Sequence, residues 1–135
     1  MNSEKQTIQQ ILTFCQWVIG SLWIYQGLMP KLIFQVPDEQ YLWQQLNIAP
    51  SYMAWMISLS GLAEIIVGSL FFWIQHKYLH LLSIISLIGL LILVLLIYPD
   101  KIYQAFNPVV MNIALASLSV ISLHCIQALQ HAKPE

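Results

Sequence analysis

Four long apolar runs that carry almost no charge constrain this chain more than any other feature of its sequence. They cover approximately residues 7–29, 51–75, 78–98 and 108–130, and the third run is the most apolar. An α-helix needs about 20 mostly apolar residues to cross the roughly 30 Å hydrocarbon layer of a bilayer. Only 8% of the 135 residues are charged, against about 25% in a soluble domain. The sequence therefore predicts an integral membrane protein with four transmembrane helices, whose ends are uncertain by about 2 to 4 residues.

Helix-boundary signals at the ends of these runs support the division. The fourth run begins at Asn107-Pro108, where Asn is a favoured N-cap and Pro a favoured first helical residue. Pro37 precedes an acidic pair that suits a helix N-terminus, and this predicts a short interfacial helix at about 38–47. The short later connections favour antiparallel neighbours. We predict one all-α domain over 1–135, an antiparallel four-helix bundle with the interfacial helix between spans one and two.

The distribution of lysines bears on orientation in the membrane. An even number of spans places both termini on one side, and positive charge is enriched in cytoplasmic segments. The side that holds the termini carries three lysines, namely Lys5, Lys77 and Lys133. The other side carries two, namely Lys31 and Lys101. We expect a multi-pass protein of the cell (inner) membrane with both termini cytoplasmic. The first run is too long for a secretory signal core, so we expect it to remain as a span.

Glu64 is the most informative single residue because it lies in the middle of the second span. A carboxylate near the bilayer centre costs about 2.5 to 3.5 kcal/mol and needs a proton or partners. Gly61 and Gly68 share its helical face, so Glu64 should point into the bundle, where glycines permit close backbone approach. We expect a protonated carboxyl held by hydroxyls and amides of other spans. It is interpreted as a proton-accepting or ligand-anchoring group, or alternatively as interhelical hydrogen-bonding glue.

Polar residues near the ends of spans one and four extend this candidate site. Lys31 and Gln26 lie at the end of the first span, and Asn107 and Asn112 lie at the start of the fourth, on the same side of the membrane. These four residues are predicted to line a mouth that leads toward Glu64, as ligand-binding residues. The alternative for Lys31 is a membrane anchor whose ammonium snorkels to the lipid headgroups.

Other chemistry has weaker signals. Cys15 and Cys125 stand in no paired motif, and packing is the simpler interpretation. His76 and His80 are four residues apart, but interfacial positions explain them better than ligation, so no metal site is predicted. A net charge of −1 excludes a nucleic-acid surface, which requires clustered basic residues. No nucleophile with a base, phosphate loop or dinucleotide fingerprint occurs, so catalytic residues are not assigned and enzyme activity is left open.

Several local sequences together resemble the DoxX-like family of small four-helix membrane proteins. The resemblance covers roughly residues 10 to 128 and rests on four segments. These are Tyr25-Gln26-Gly27-Leu28-Met29-Pro30-Lys31-Leu32 with Glu39 downstream, Gly61-x-x-Glu64-x-x-x-Gly68, Pro99, and Phe106-Asn107-Pro108 with Asn112. The family's name derives from a membrane subunit of a quinone-reducing complex, and similar domains occur with redox partners. The resemblance thus implies a functional pocket at Lys31, Glu64, Asn107 and Asn112.

Two hypotheses follow. The first is a redox-associated membrane subunit that binds a quinone or another small apolar molecule, with Glu64 handling a proton and a redox or other membrane protein as partner. The second is a non-catalytic lipid-binding or membrane-protein assembly factor. A transporter is less favoured, because four spans with one buried charge and no internal repeat are few for a transport path. The sequence leaves the ligand and the oligomeric state open.

Overall fold

The computed structural model describes residues 2–101, 103 and 107–131, and within them it contains helices and no strand. In chain order these are α1 (Asn2–Gly27), a π-helical turn (Leu28–Ile33), α2 (Pro37–Gln45), α3 (Pro50–Trp73), α4 (Lys77–Ile97), a 3₁₀ turn (Pro99–Lys101) and α5 (Pro108–His131).

Four of these helices are long and apolar enough to cross a membrane, namely Ser3–Ile33, Pro50–Trp73, Lys77–Ile97 and Pro108–His131. The protein is therefore an all-α, multi-pass membrane protein, and its helix content fits the predicted four-helix membrane bundle. The last three spans agree with their predicted ranges within two residues at each end. The predicted interfacial helix is present as α2. That residues 1–135 make one domain stays a prediction.

The first span differs most from its predicted range, because it begins earlier and continues past Pro30. Pro has no backbone N–H and its ring clashes with the preceding turn, so the sequence predicted a helix end at residue 29. The chain instead widens into the π-helical turn Leu28–Ile33. The wide turn continues through the Phe34 amide, which donates to the Met29 carbonyl at 3.1 Å. Lys31 thus lies in a helical turn that belongs to the span.

Gly20–Trp73 form one compact unit, which contains the end of α1, the π-helical turn, α2 and α3. Glycines bring the first and third helices into close backbone contact at two levels. A Cβ on Gly68 would lie 2.8 Å from the Gly20 carbonyl oxygen, and a Cβ on Gly61 would lie 2.7 Å from the Gly27 carbonyl oxygen. The two contacts pair an early residue with a late one, so the helices run antiparallel. The predicted close approach at Gly61 and Gly68 is confirmed.

The described residues before Gly20 and after Trp73 form the second unit, in which α4 and α5 pack together along their length. The Ser119 hydroxyl donates to the Ser83 hydroxyl at 3.3 Å, and both side chains are fully buried. The Asn107 side-chain oxygen accepts from the Val110 amide at 3.0 Å, which confirms the predicted N-cap of α5. Small hydroxyl residues therefore lie where these two helices meet, as is usual between membrane helices.

Candidate functional site

Lys31 and Glu64 form an ion pair inside the Gly20–Trp73 unit. The Lys31 ammonium donates to Glu64 Oε1 at 2.5 Å, and the two side chains are 10% and 13% exposed. The anchoring interpretation of Lys31 is therefore wrong in this structure, because the ammonium is turned onto a carboxylate and not toward lipid headgroups. The π-helical turn makes this possible by keeping Lys31 in a helical turn that packs on α3.

Glu39 adds a second carboxylate to this pair. It lies in the first turn of α2, and its Oε1 is 3.9 Å from the Lys31 ammonium. Its side chain is 22% exposed, whereas Asp38 beside it is exposed. Burial raises the pKa of Glu39 above its ordinary value of 4.5, Lys31 opposes that shift, and Asp38 adds to it. Glu39 is thus the most exposed of the three charged side chains.

The cluster of Lys31, Glu39 and Glu64 contains two carboxyl groups for one ammonium, and one of its oxygens has no partner. Glu64 Oε2 is buried and accepts no hydrogen bond within the described part of the chain. An unsatisfied carboxylate oxygen is costly in a region without water, since it forgoes both hydration and hydrogen bonds. The cluster can therefore take up a proton, or accept a hydrogen bond from a ligand that reaches this oxygen.

The partners expected for Glu64 are not the ones observed. The sequence predicted an uncharged carboxyl held by hydroxyls and amides of other spans, but the hydrogen bond that the structure gives Glu64 comes from the Lys31 ammonium. The hydroxyls of Ser60 and Ser69 on the same helix donate to carbonyls of α3 itself. The Ser58 hydroxyl instead accepts from the Gln35 amide at 3.3 Å. The observed partner is the Lys31 ammonium, because the π-helical turn extends the first span to include Lys31.

Of the other predicted site residues, Gln26 lies in the same unit as this pair, and Asn107 and Asn112 lie in the second unit. Gln26 is half-buried on α1, beside Gly27. Asn107 serves as the N-cap of α5. Asn112 is 5% exposed on α5, where it lines a groove against α4. The structure brings Lys31 and Glu64 together, and the grouping of the remaining three residues with them stays a prediction.

A buried polar cluster in the second unit was missed from the sequence. Gln16 and His80 are 2% and 0% exposed, and the Gln16 amide nitrogen lies 3.4 Å from His80 Nε2. The same amide donates to the Ile74 carbonyl at 3.2 Å, in the connection between α3 and α4. His80 was interpreted as interfacial because it lies near a predicted span end, and Gln16 was given no role, so their contact was not predicted. In the described residues no group of His, Cys, Asp or Glu could hold a metal ion.

These observations define a class: a small, all-α, multi-pass membrane protein whose first and second spans contribute a buried Lys–Glu pair. The model of the DoxX-like family matches residues 20–120, which is most of the chain. The chain belongs to the DoxX-like family, and the resemblance drawn from its local sequences is confirmed. No curated protein and no solved structure shows a significant match to it.

Proposed function

We propose that the protein is a redox-associated membrane subunit that binds a quinone or another small apolar molecule with an oxygen-bearing head group at the Lys31–Glu64 pair. The observation that carries this proposal is a buried ion pair between two spans, in which one carboxylate oxygen, Glu64 Oε2, has no hydrogen-bond partner among the described residues. Ionisable residues inside spans are costly and mark functional sites more often than they mark packing. A π-helical turn at such a residue adds support, since these turns are frequent at functional sites.

Each residue of the cluster has a distinct role in this proposal. Lys31 donates a hydrogen bond to a carbonyl oxygen of the head group, and Glu64 accepts one from a hydroxyl or takes up its proton. Glu39 exchanges that proton with the membrane surface, because it is the most exposed of the three. A quinone would supply two-electron redox chemistry when bound, with a partner protein providing the electrons. Gln26, Asn107 and Asn112 remain proposed ligand-binding residues.

The proposal is tested by the small molecules that accompany the purified protein. Mass spectrometry of mildly solubilised protein should detect a quinone-class or similar apolar molecule. Binding of a short-chain benzoquinone analogue should weaken at least about tenfold in Glu64→Gln, since a charge-assisted hydrogen bond contributes about 1.5 to 3 kcal/mol. Asp38→Asn is the matched control, because it removes a carboxylate that is exposed on α2. Absence of any such molecule, with analogue binding equal in the three proteins, would refute the proposal.

The second candidate, a non-catalytic lipid-binding or assembly factor, makes a different prediction. It requires a stable membrane-protein client whose recovery does not depend on Glu64. Affinity purification from native membranes therefore separates the two. A client recovered equally with wild type and Glu64→Gln, and no bound quinone-class molecule, would favour the assembly role.

A further inference from the structure

An open groove runs between α4 and α5 in the second unit. Its lining includes no residue of the Lys31–Glu64 pair and no charged side chain. It has a volume of about 480 Å³. It extends from Ile84 to Leu91 on α4 and from Asn112 to Ile121 on α5, and its walls are mostly aliphatic. This volume lies within the range of about 300 to 1,000 Å³ that small-molecule sites occupy.

One polar side chain in this groove lacks a partner. Asn112 is 95% buried, being 5% exposed, and within the described residues no hydrogen bond engages its amide. By contrast, the other polar residue of the lining, Ser117, donates its hydroxyl to the Ile113 carbonyl at 2.8 Å. Water is absent from the hydrocarbon layer, and an unsatisfied amide there is costly. The occupant that suits this groove is therefore apolar and carries an oxygen for Asn112.

The length and depth of the groove match one leaflet of a bilayer. The 24 residues of α5 span about 36 Å at 1.5 Å per residue, slightly more than the roughly 30 Å hydrocarbon layer. With α5 centred in that layer, Asn112 lies about 4 Å inside its edge, where the acyl chains of a phospholipid begin. Ile121, about 13 Å further along the helix, lies near the midplane. The groove therefore covers the depth of one acyl chain.

We propose that this groove is a specific phospholipid site, in which one acyl chain lies between α4 and α5 and its ester carbonyl accepts a hydrogen bond from the Asn112 amide. The lipid belongs to the leaflet at the α4–α5 connection, because Asn112 lies in the second turn of α5. This inference uses none of the contacts of Lys31, Glu39 and Glu64, and it shares one residue with the proposed function, because it assigns Asn112 to a phospholipid and not to the quinone-class ligand.

Native mass spectrometry of the protein in mild detergent tests the occupancy. Wild type should retain one phospholipid per chain. Ala116→Phe fills the groove, because Ala116 is part of its lining, and should lose at least about 90% of that lipid. Ala114→Phe is the matched control: Ala114 is exposed on the same helix outside the lining, and this variant should retain the lipid. Thermal stability in detergent confirms that both variants are folded.

A second experiment tests the hydrogen bond. Wild type should bind an ester-linked phospholipid about two- to tenfold more tightly than the ether-linked analogue, which lacks the carbonyl. Asn112→Leu keeps the approximate size of the side chain and should abolish that preference. Equal lipid retention in the two phenylalanine variants, an ester preference that survives Asn112→Leu, or a quinone or a second protein copy in place of phospholipid would each overturn the inference.

Discussion

The Lys31–Glu64 pair predicts an unequal response to removing each partner. With an effective dielectric constant of about 20, Lys31 is attracted by about 7 kcal/mol to Glu64 at 2.5 Å and by about 4 kcal/mol to Glu39 at 3.9 Å, before the opposing loss of hydration. Replacing Lys31 removes both attractions and leaves two carboxyl groups without a cation. Replacing Glu64 leaves Lys31 with Glu39 as its remaining counterion.

We therefore expect Lys31→Met to lower the free energy of unfolding by about 3 to 5 kcal/mol, the range found when one partner of a buried pair is removed. Glu64→Met should lower it by about 1 to 3 kcal/mol, because one hydrogen bond is lost but a counterion remains. The double variant should be more stable than Lys31→Met alone, since an apolar pair of similar size replaces a desolvated ion pair at little cost.

Reversible unfolding in mixed micelles of mild and denaturing detergent measures these differences. Lys77→Met is the control, because Lys77 is exposed at the start of α4, and its effect should stay within about 0.5 kcal/mol. The reasoning is refuted if Lys31→Met behaves like Lys77→Met, or if the double variant loses the sum of the two single losses. Additive losses would mean that the two side chains do not act as a pair.

Three further predictions use the same unfolding assay. Gly68→Ala should lose about 1 to 3 kcal/mol because its Cβ would meet a carbonyl oxygen of α1, whereas Gly89→Ala, with open space around it, should not be destabilised. Gln16→Leu should lose about 0.5 to 1.5 kcal/mol, because the Ile74 carbonyl in the α3–α4 connection then loses the hydrogen bond from the Gln16 amide. Since burial raises the pKa of Glu39 above 4.5, its contribution to stability is present at low pH and is lost as pH rises through the raised pKa. Glu39→Gln should flatten that decline in a pH series, while Asp38→Asn, which removes the smallest of the causes of the shift, should reduce it only slightly.

The sequence predicted the spans well because the signals there are strong. Length and hydropathy located the four long helices. The Asn107-Pro108 pair located the start of α5, since Asn107 is its N-cap and Pro108 its first residue. The spacing of Gly61, Glu64 and Gly68 also predicted a shared face, which the glycine contacts confirm. These features depend on local chemistry alone, so they can be derived without knowledge of the neighbouring helices.

The ion pair was missed because two reliable rules pointed away from it. Proline normally ends a helix, and a lysine at a span end normally snorkels to the headgroups. The π-helical turn lets the helix continue past Pro30, and Glu64 offers the Lys31 ammonium a closer partner than the headgroups. The available signal was a buried carboxylate in a chain with few cations, one of which follows the first span directly. Pairing scarce charges of opposite sign is a better first hypothesis than pairing a carboxylate with abundant hydroxyls.

Hydropathy cannot show which face of a span is covered, because lipid and a protein interior are equally apolar. On α3 the buried side chains follow a helical period, at Met53, Ile57, Gly61, Gly68 and Phe71. Exposed positions on the same helix are as apolar, at Trp55, Leu59, Leu62 and Ile66. The covered face of α3 is instead marked by its glycines and its carboxylate. In a soluble helix the apolar stripe shows which face contacts the rest of the protein, whereas in α3 the small and polar residues show it. By the same reasoning, Asn112 on α5 indicates a face that makes a specific contact.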